Sequence, residues 1–178
     1  LSRLESGEVS QQPSAVSLHA LVHEVSALFR EQATQRGLSW RLHVPQDATV
    51  WADPALLRQV IVNLTHNALR YTSEGGVLLA VRRQAGHWLI EVWDTGVGVA
   101  TQEQGRIFSP YYRGDRAWQI DNAGHGLGLA VVARCAQLMA MPYGMQSQLG
   151  RGSRFWLRLP MHHAPALSGA RVALDAGP

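Results

Sequence analysis

Lysine is absent from this chain: its 16 basic side chains are all arginine, set against 13 acidic ones for a formal charge of +3. A P-loop needs a lysine after its glycines to reach the phosphates, so that type of nucleotide site is excluded. The arginines are spread rather than clustered, with no basic block or aromatic-interleaved stripe, and nucleic acid is not an expected partner. Cysteine occurs once, as Cys135 inside an apolar run, which rules out an intrachain disulfide. A small buried thiol suits a reducing compartment, and a cytoplasmic location is expected. No run approaches the ~18 apolar residues of a membrane span, and no signal-peptide pattern opens the chain. Direct membrane contact by this chain is not expected, although a membrane-anchored parent is compatible with it. Its start at Leu1 rather than methionine suggests a piece of something longer.

What is present suits one globular domain with a proper core: 178 residues, 46% hydrophobic and 16% charged. Leu18, Leu21, Val22, Val25, Leu28 and Phe29 recur at the spacing of an amphipathic helix, which Gly37 ends. Trp40, Leu42 and Val44 alternate with Arg41 and His43 as in a strand. After an extended piece at Thr49 to Trp51, Asp53-Pro54 starts a second helix. Its aspartate can cap free N–H groups, and its proline sacrifices no hydrogen bond at the first helical position.

That helix, Pro54 to about Thr72, carries the functional argument. At ~100° per residue, Leu57, Val60, Ile61, Leu64 and Ala68 share one arc of about 100° that should face the core. Asn63, Asn67 and Arg70 fall together on one flank of it. Two amides and a guanidinium at the edge of a buried face suit a shared ligand. Beyond it, Val77 to Arg83 and His87 to Trp93 read as an antiparallel hairpin turned by Ala85-Gly86. The second strand runs into Asp94-Thr95-Gly96-Val97-Gly98. After a glycine- and arginine-rich loop, Gly124-His125-Gly126 leads into an apolar helix from Leu127 to about Met141. Tyr143 to Gln148 and Ser153 to Leu159 form a closing strand pair.

Each segment has its own chemistry. An ionised carboxylate only accepts hydrogen bonds, so Asp94 can receive the exocyclic N–H of adenine and reject guanine, which presents a carbonyl there. Taken alone, Asp94 equally fits a turn aspartate ahead of Gly96. Glycine lets a backbone approach a ring or phosphate closely. A glycine loop entering a helix, as at Gly124, His125, Gly126, Leu127 and Gly128, can offer backbone N–H groups to phosphate. An asparagine oxygen is a hard ligand suited to Mg²⁺; Asn67 is the candidate, with Asn63 placing a water one turn earlier. Arg70 and Arg113 can meet phosphate bidentately. His19 and His23 have metal-pair spacing but no third ligand, and read as solvated helix positions.

In this order the segments resemble the catalytic ATP-binding domain of sensor histidine kinases, within the wider group that includes gyrase, Hsp90 and MutL. Gln59 to Thr72 is similar to the family's N box, Asp94 to Gly98 to its G1 box, Phe108 to Arg113 to its F box and Gly124 to Leu129 to its G2 box. Gly150 to Pro160 is similar to the closing hairpin. The resemblance implies an α+β fold, a two-layer sandwich with a mixed, mainly antiparallel sheet on three helices and an ATP lid. It implies ATP and Mg²⁺ as ligands, with Asn63, Asn67 and Arg70 catalytic. Asn67 would hold the metal, Asp94 with Gly96, Val97 and Gly98 the adenine, and Arg70, Tyr71 and Arg113 the phosphates or lid. Gly124, His125, Gly126, Leu127 and Gly128 would cradle phosphate.

Departures matter too. Arg70 stands where lysine is frequent, and His125 where a small residue is common. Asn63 occupies the position at which hydrolysing relatives carry a glutamate base; an amide cannot take a proton, so transfer is favoured over hydrolysis. The domain plan that follows is residues 1–12 as the end of a dimerisation helix, 13–161 as the catalytic domain and 162–178 as a linker or the start of a receiver-like domain. Implied partners are a histidine phosphoacceptor domain of the same protein and a response regulator receiver domain, in a homodimeric parent. The alternative function is a non-catalytic nucleotide-sensing or docking module.

Overall fold

The computed structural model describes residues 11–110 and 128–161. The expected phosphate loop over Gly124 to Leu127, the F-box residues Tyr111 to Arg113, most of the expected dimerisation helix and the segment 162–178 lie outside these residues. Among the described residues the order is β1 (Ser14–Ser17), α1 (Leu18–Gln35), β2 (Ser39–His43), β3 (Thr49–Ala52), α2 (Pro54–Tyr71), β4 (Gly76–Gln84), β5 (His87–Asp94), α3 (Gly128–Met139), β6 (Tyr143–Gln148) and β7 (Gly152–Pro160). The main sheet has strand order β2-β4-β5-β7-β6, and β1 pairs with β3 in a separate two-stranded sheet. Among the described strands of this sheet only β2 and β4 run parallel; β4–β5, β5–β7 and β6–β7 are antiparallel. The mixed, mainly antiparallel sheet over three helices is therefore as expected.

Register makes the two faces of the sheet chemically opposite. Residues directly across a ladder point to the same side. Leu79 and Val81 of β4 align with Val92 and Ile90 of β5, and these with Phe155 and Leu157 of β7, with Val77 and Leu159 on the same inner face. All are buried and share one core with Leu57, Val60, Ile61, Leu64 and Ala68 of α2. The arc deduced for that helix is the face it buries. The other face carries Arg82, Glu91, Trp93, Arg154 and Trp156, one position out of phase.

Local chemistry fixes the helix ends. Asp53, 2% exposed, accepts from the backbone N–H of Ala55 and Leu56 at 2.9 and 3.1 Å, as a capping aspartate should. Its other oxygen accepts from Gln12 N–H at 2.9 Å. Gln11 and Gln12 are irregular rather than helical, because Pro13 disfavours helix in the residue before it. The α3 helix stops two residues before the expected Met141, where Ala140 adopts φ +57 just ahead of Pro142. The short strand β1 and a 3₁₀ turn at Thr101–Glu103 are absent from the sequence reading. Ser-Ala-Val-Ser buries one side chain, and its extended form depends on partners at Thr49 to Ala52. No described helix is long and apolar enough to cross a membrane.

Candidate functional site

The site is assembled where the C-terminal half of α2, the loop after β5 and the start of α3 meet. Asn63, Asn67, Arg70 and Tyr71 are all half-buried on α2. Asn63 donates from Nδ2 to the Gln59 carbonyl at 2.7 Å, a backward bond along its own helix. That bond orients the amide so that Oδ1 faces Gly128, where an added Cβ would lie 3.5 Å from it. The asparagine flank of α2 thus looks onto the first residue of α3, the point at which the glycine loop enters the helix.

Asp94 closes β5 with its side chain on the inner face, opposite Ser153 of β7. Its Oδ1 accepts from Gly96 N–H at 2.9 Å, and the Ser153 N–H donates to it as well. Burial raises the carboxyl from the ordinary range to about 6, against the opposing pull of these two backbone donors. At neutral pH it is an ionised acceptor in a poorly hydrated place, which is the state an adenine amine requires.

Two glycines explain how the loop after Asp94 reaches α2. A Cβ on Gly96 would sit 2.3 Å from the Tyr71 carbonyl oxygen, so only glycine allows the loop to lie on the last turn of α2. Val97 N–H then bonds that same carbonyl at 3.3 Å. Gly98 has φ +72, and a Cβ there would approach the Gln148 carbonyl to 2.2 Å. The loop is wedged between α2 and the β6–β7 turn, where Gly150 N–H bonds Val97 O at 2.8 Å. Gly98→Ala combines a left-handed backbone with a clash against main chain. It is expected to lower stability by about 2–3 kcal/mol in urea titrations, and to weaken adenine-nucleotide binding as Asp94 shifts.

Two supports escaped the sequence reading. In the sequence Ser153 reads only as part of a closing hairpin, yet its N–H helps hold the Asp94 carboxylate. Thr95 Oγ1 donates to Glu74 O and accepts from Gly76 N–H, both at 2.9 Å, tying the loop to the start of β4. Neither leaves a periodic signal, since each depends on strands distant in sequence. Phe108 packs edge-on against Tyr143 and Phe155, with centroids 5.1 and 6.2 Å away, anchoring the described part of the F-box segment to the sheet. His19 is half-buried and His23 exposed; their rings stack at 4.2 Å.

Residues 52–163 match the family described as histidine kinase-, DNA gyrase B- and HSP90-like ATPase. The chain is 31% identical over 165 residues to the sensor histidine kinase RcsC of Escherichia coli K12, covering 92% of this chain and 17% of that protein. It is 34% identical over 175 residues to the sensor protein CzcS of Cupriavidus metallidurans, covering 98% of this chain and 36% of that one. This chain therefore spans well under half the length of either relative. Among solved structures it is similar to full-length ShkA in complex with AMPPNP, with TM-score 0.78 and 32% identity over 92% of this chain and 34% of that one. The catalytic domain of the histidine kinase ThkA, 22% identical, shares the fold with TM-score 0.74 over 85% of this chain and 97% of that domain.

Proposed function

Because the chain belongs to the histidine kinase-, DNA gyrase B- and HSP90-like ATPase family, we propose that it is the ATP-binding catalytic domain of a sensor histidine kinase. In the parent it passes the γ-phosphoryl group of Mg-ATP to a histidine on an upstream dimerisation domain. The observation that carries this reading is the convergence of Asn63 on the start of α3, with the Asp94 loop resting on the Tyr71 carbonyl. Adenine at Asp94 and phosphates at the asparagines then share one cleft.

The residues fit the ligands the family implies. Asn67 offers a neutral amide oxygen, the hard donor that Mg²⁺ accepts alongside water and phosphate, and Asn63 one turn earlier would place a water. Bound there, the metal supplies charge neutralisation across the phosphates. Asp94 accepts the adenine amine, and the absence of a Cβ at Gly96 keeps the approach to it open. Arg70, Tyr71 and Arg113 are assigned to phosphate and lid contacts, and Gly124 to Gly128 to the phosphate cradle. Asn63 cannot remove a proton from water, so it orients groups without driving hydrolysis. Phosphoryl transfer demands chiefly positioning and charge stabilisation, which this set provides.

The wider plan belongs to the same proposal: residues 1–12 carry the end of the dimerisation domain, with Gln11 and Gln12 already past its helix, 13–161 form the catalytic domain, and 162–178 lead toward a receiver-like domain. The parent is a homodimer that hands its phosphoryl group to a response regulator, and this domain lies in the cytoplasm. Incubating labelled Mg-ATP with this chain joined to its upstream helices is expected to yield an acid-labile, base-stable phosphohistidine. Nucleotide binding without that product would instead support a nucleotide-sensing or docking module. Multiple-turnover hydrolysis by the chain alone would place it with the hydrolysing relatives.

A further inference from the structure

The face of the five-stranded sheet turned away from the helices carries a second constructed feature. Leu89 and Glu91 lie on that face, yet each is only 1% exposed. Over them lies a layer of arginine and tryptophan: Arg82 from β4, Trp93 from β5, and Arg154, Trp156 and Arg158 from β7. Glu91 accepts from the Nε of Arg82 at 2.6 Å and from the Nε of Arg154. A guanidinium that commits Nε to one carboxylate keeps its terminal amines for another acceptor. Arg154 makes a long 3.4 Å contact from Nη1 to Gln146. Arg158 has a buried Nε with no hydrogen-bond partner. Between these side chains runs an open groove of about 420 Å³.

The electrostatic balance of the groove is uneven. Three guanidiniums face one carboxylate, which leaves two positive charges held on a rigid sheet with Gln84 and Gln146 at the rim. A buried, doubly bonded Glu91 holds Arg82 and Arg154 in place, so a ligand need not order those two. Arginine forks of this kind suit carboxylate groups. Nucleic acid fits poorly, because the aromatic faces are already used. Arg154 lies 5.4 Å over the Trp93 ring and Arg158 lies 5.7 Å over Trp156. The Trp156 ring also lies against Gly144, where a Cβ would come within 2.7 Å of it. Base stacking needs free ring faces, and a nucleic-acid backbone needs a longer basic track than one cluster. Trp93, although Arg154 lies over its ring, keeps 43% of its surface exposed beside the guanidiniums, enough for an apolar side chain to rest on without a stacked base.

We propose that this outer sheet face, centred on Arg82, Arg154 and Arg158, docks an acidic segment of a partner protein. Its carboxylates are received by the guanidiniums and its apolar side chains rest on Trp93. The site lies across the sheet from the nucleotide cleft and does not depend on the kinase reading.

Fluorescence anisotropy with the full 178-residue chain tests it, using a labelled decapeptide of alternating glutamate and leucine. Saturable binding that weakens with added salt is expected. The double variant Arg82→Gln/Arg158→Gln should bind the peptide at least tenfold more weakly. Its far-UV circular dichroism spectrum should match that of the wild type, which verifies its fold. The control Arg30→Gln/Arg134→Gln removes the same charge from exposed helix positions and should leave peptide binding intact. Equal binding of the peptide by the Arg82/Arg158 variant overturns the proposal. So does equal binding of a glutamine-for-glutamate peptide, an equal loss in the helix control, or tighter binding of a thymidine decamer.

Discussion

Asn67→Ala is expected to reduce phosphoryl transfer to an upstream histidine by about 10²–10³-fold, the range typical when one preorganised transition-state contact is removed. Asn67 sits half-buried on the flank of α2, one turn after Asn63 and one turn before the Tyr71 carbonyl that supports the Asp94 loop. Removing its amide deletes a hard oxygen without opening the core, since the apolar arc of α2 is carried by Leu57, Val60, Ile61, Leu64 and Ala68. The thermal midpoint should therefore move little. The decisive readout is Mg²⁺ dependence: the variant should need more Mg²⁺ for AMPPNP binding, while its weak metal-free affinity stays as it was. Wild-type Mg²⁺ dependence in the variant would remove Asn67 from the metal site.

Asp94→Asn is expected to weaken adenine-nucleotide binding by about 30–100-fold, the cost of leaving a polar group of the ligand poorly matched. It should also narrow the preference for ATP over GTP, because an amide can donate to the guanine carbonyl where a carboxylate cannot. The same change should stabilise the folded chain at neutral pH. An unfolded aspartate ionises near ~3.9, whereas burial raises Asp94 to about 6 in the fold. Between those values the folded chain holds the extra proton. The Asp94 contribution is thus most favourable below about pH 4 and is lost as pH rises through 6. A shift of that size corresponds to roughly 3 kcal/mol at pH 7, the upper limit of what the amide recovers. Urea titrations from pH 4 to pH 7 should show the advantage of the variant growing with pH. In the wild type, nucleotide affinity should fall by up to tenfold per pH unit below about 6, as the acceptor is protonated. A variant with unchanged nucleotide preference and a flat stability difference would show that Asp94 is only a turn residue.

The contrast between the two asparagines and Glu91 shows which features are legible in a linear chain. Asn63, Asn67 and Arg70 lie within two turns of one helix, so the 3.6-residue period alone places them on one flank. The buried arc and the Asp53 cap follow from the same local rules. The pairing of Ser14–Ser17 with Thr49–Ala52 does not, because four weakly apolar residues become a strand only when a partner is present. Glu91 reads locally as one acidic residue in an apolar strand. Its near-complete burial depends on Arg82 across the β4 ladder and Arg154 across the β7 ladder, 63 positions away in the latter case.

The order of the glycine-bearing segments carried the family resemblance that implied the fold class, and the 3.6-residue period of α2 by itself placed Asn63, Asn67 and Arg70 on one flank of its buried arc. Each of those signals is local, since helical phase, capping and glycine permissiveness act over a few residues. Tertiary structure alone decided the environment of Asp94, where burial and the N–H groups of Gly96 and Ser153 set its protonation. It also decided the cationic outer face. Both depend on which strands lie side by side, and strand order is set by packing between distant parts of the chain.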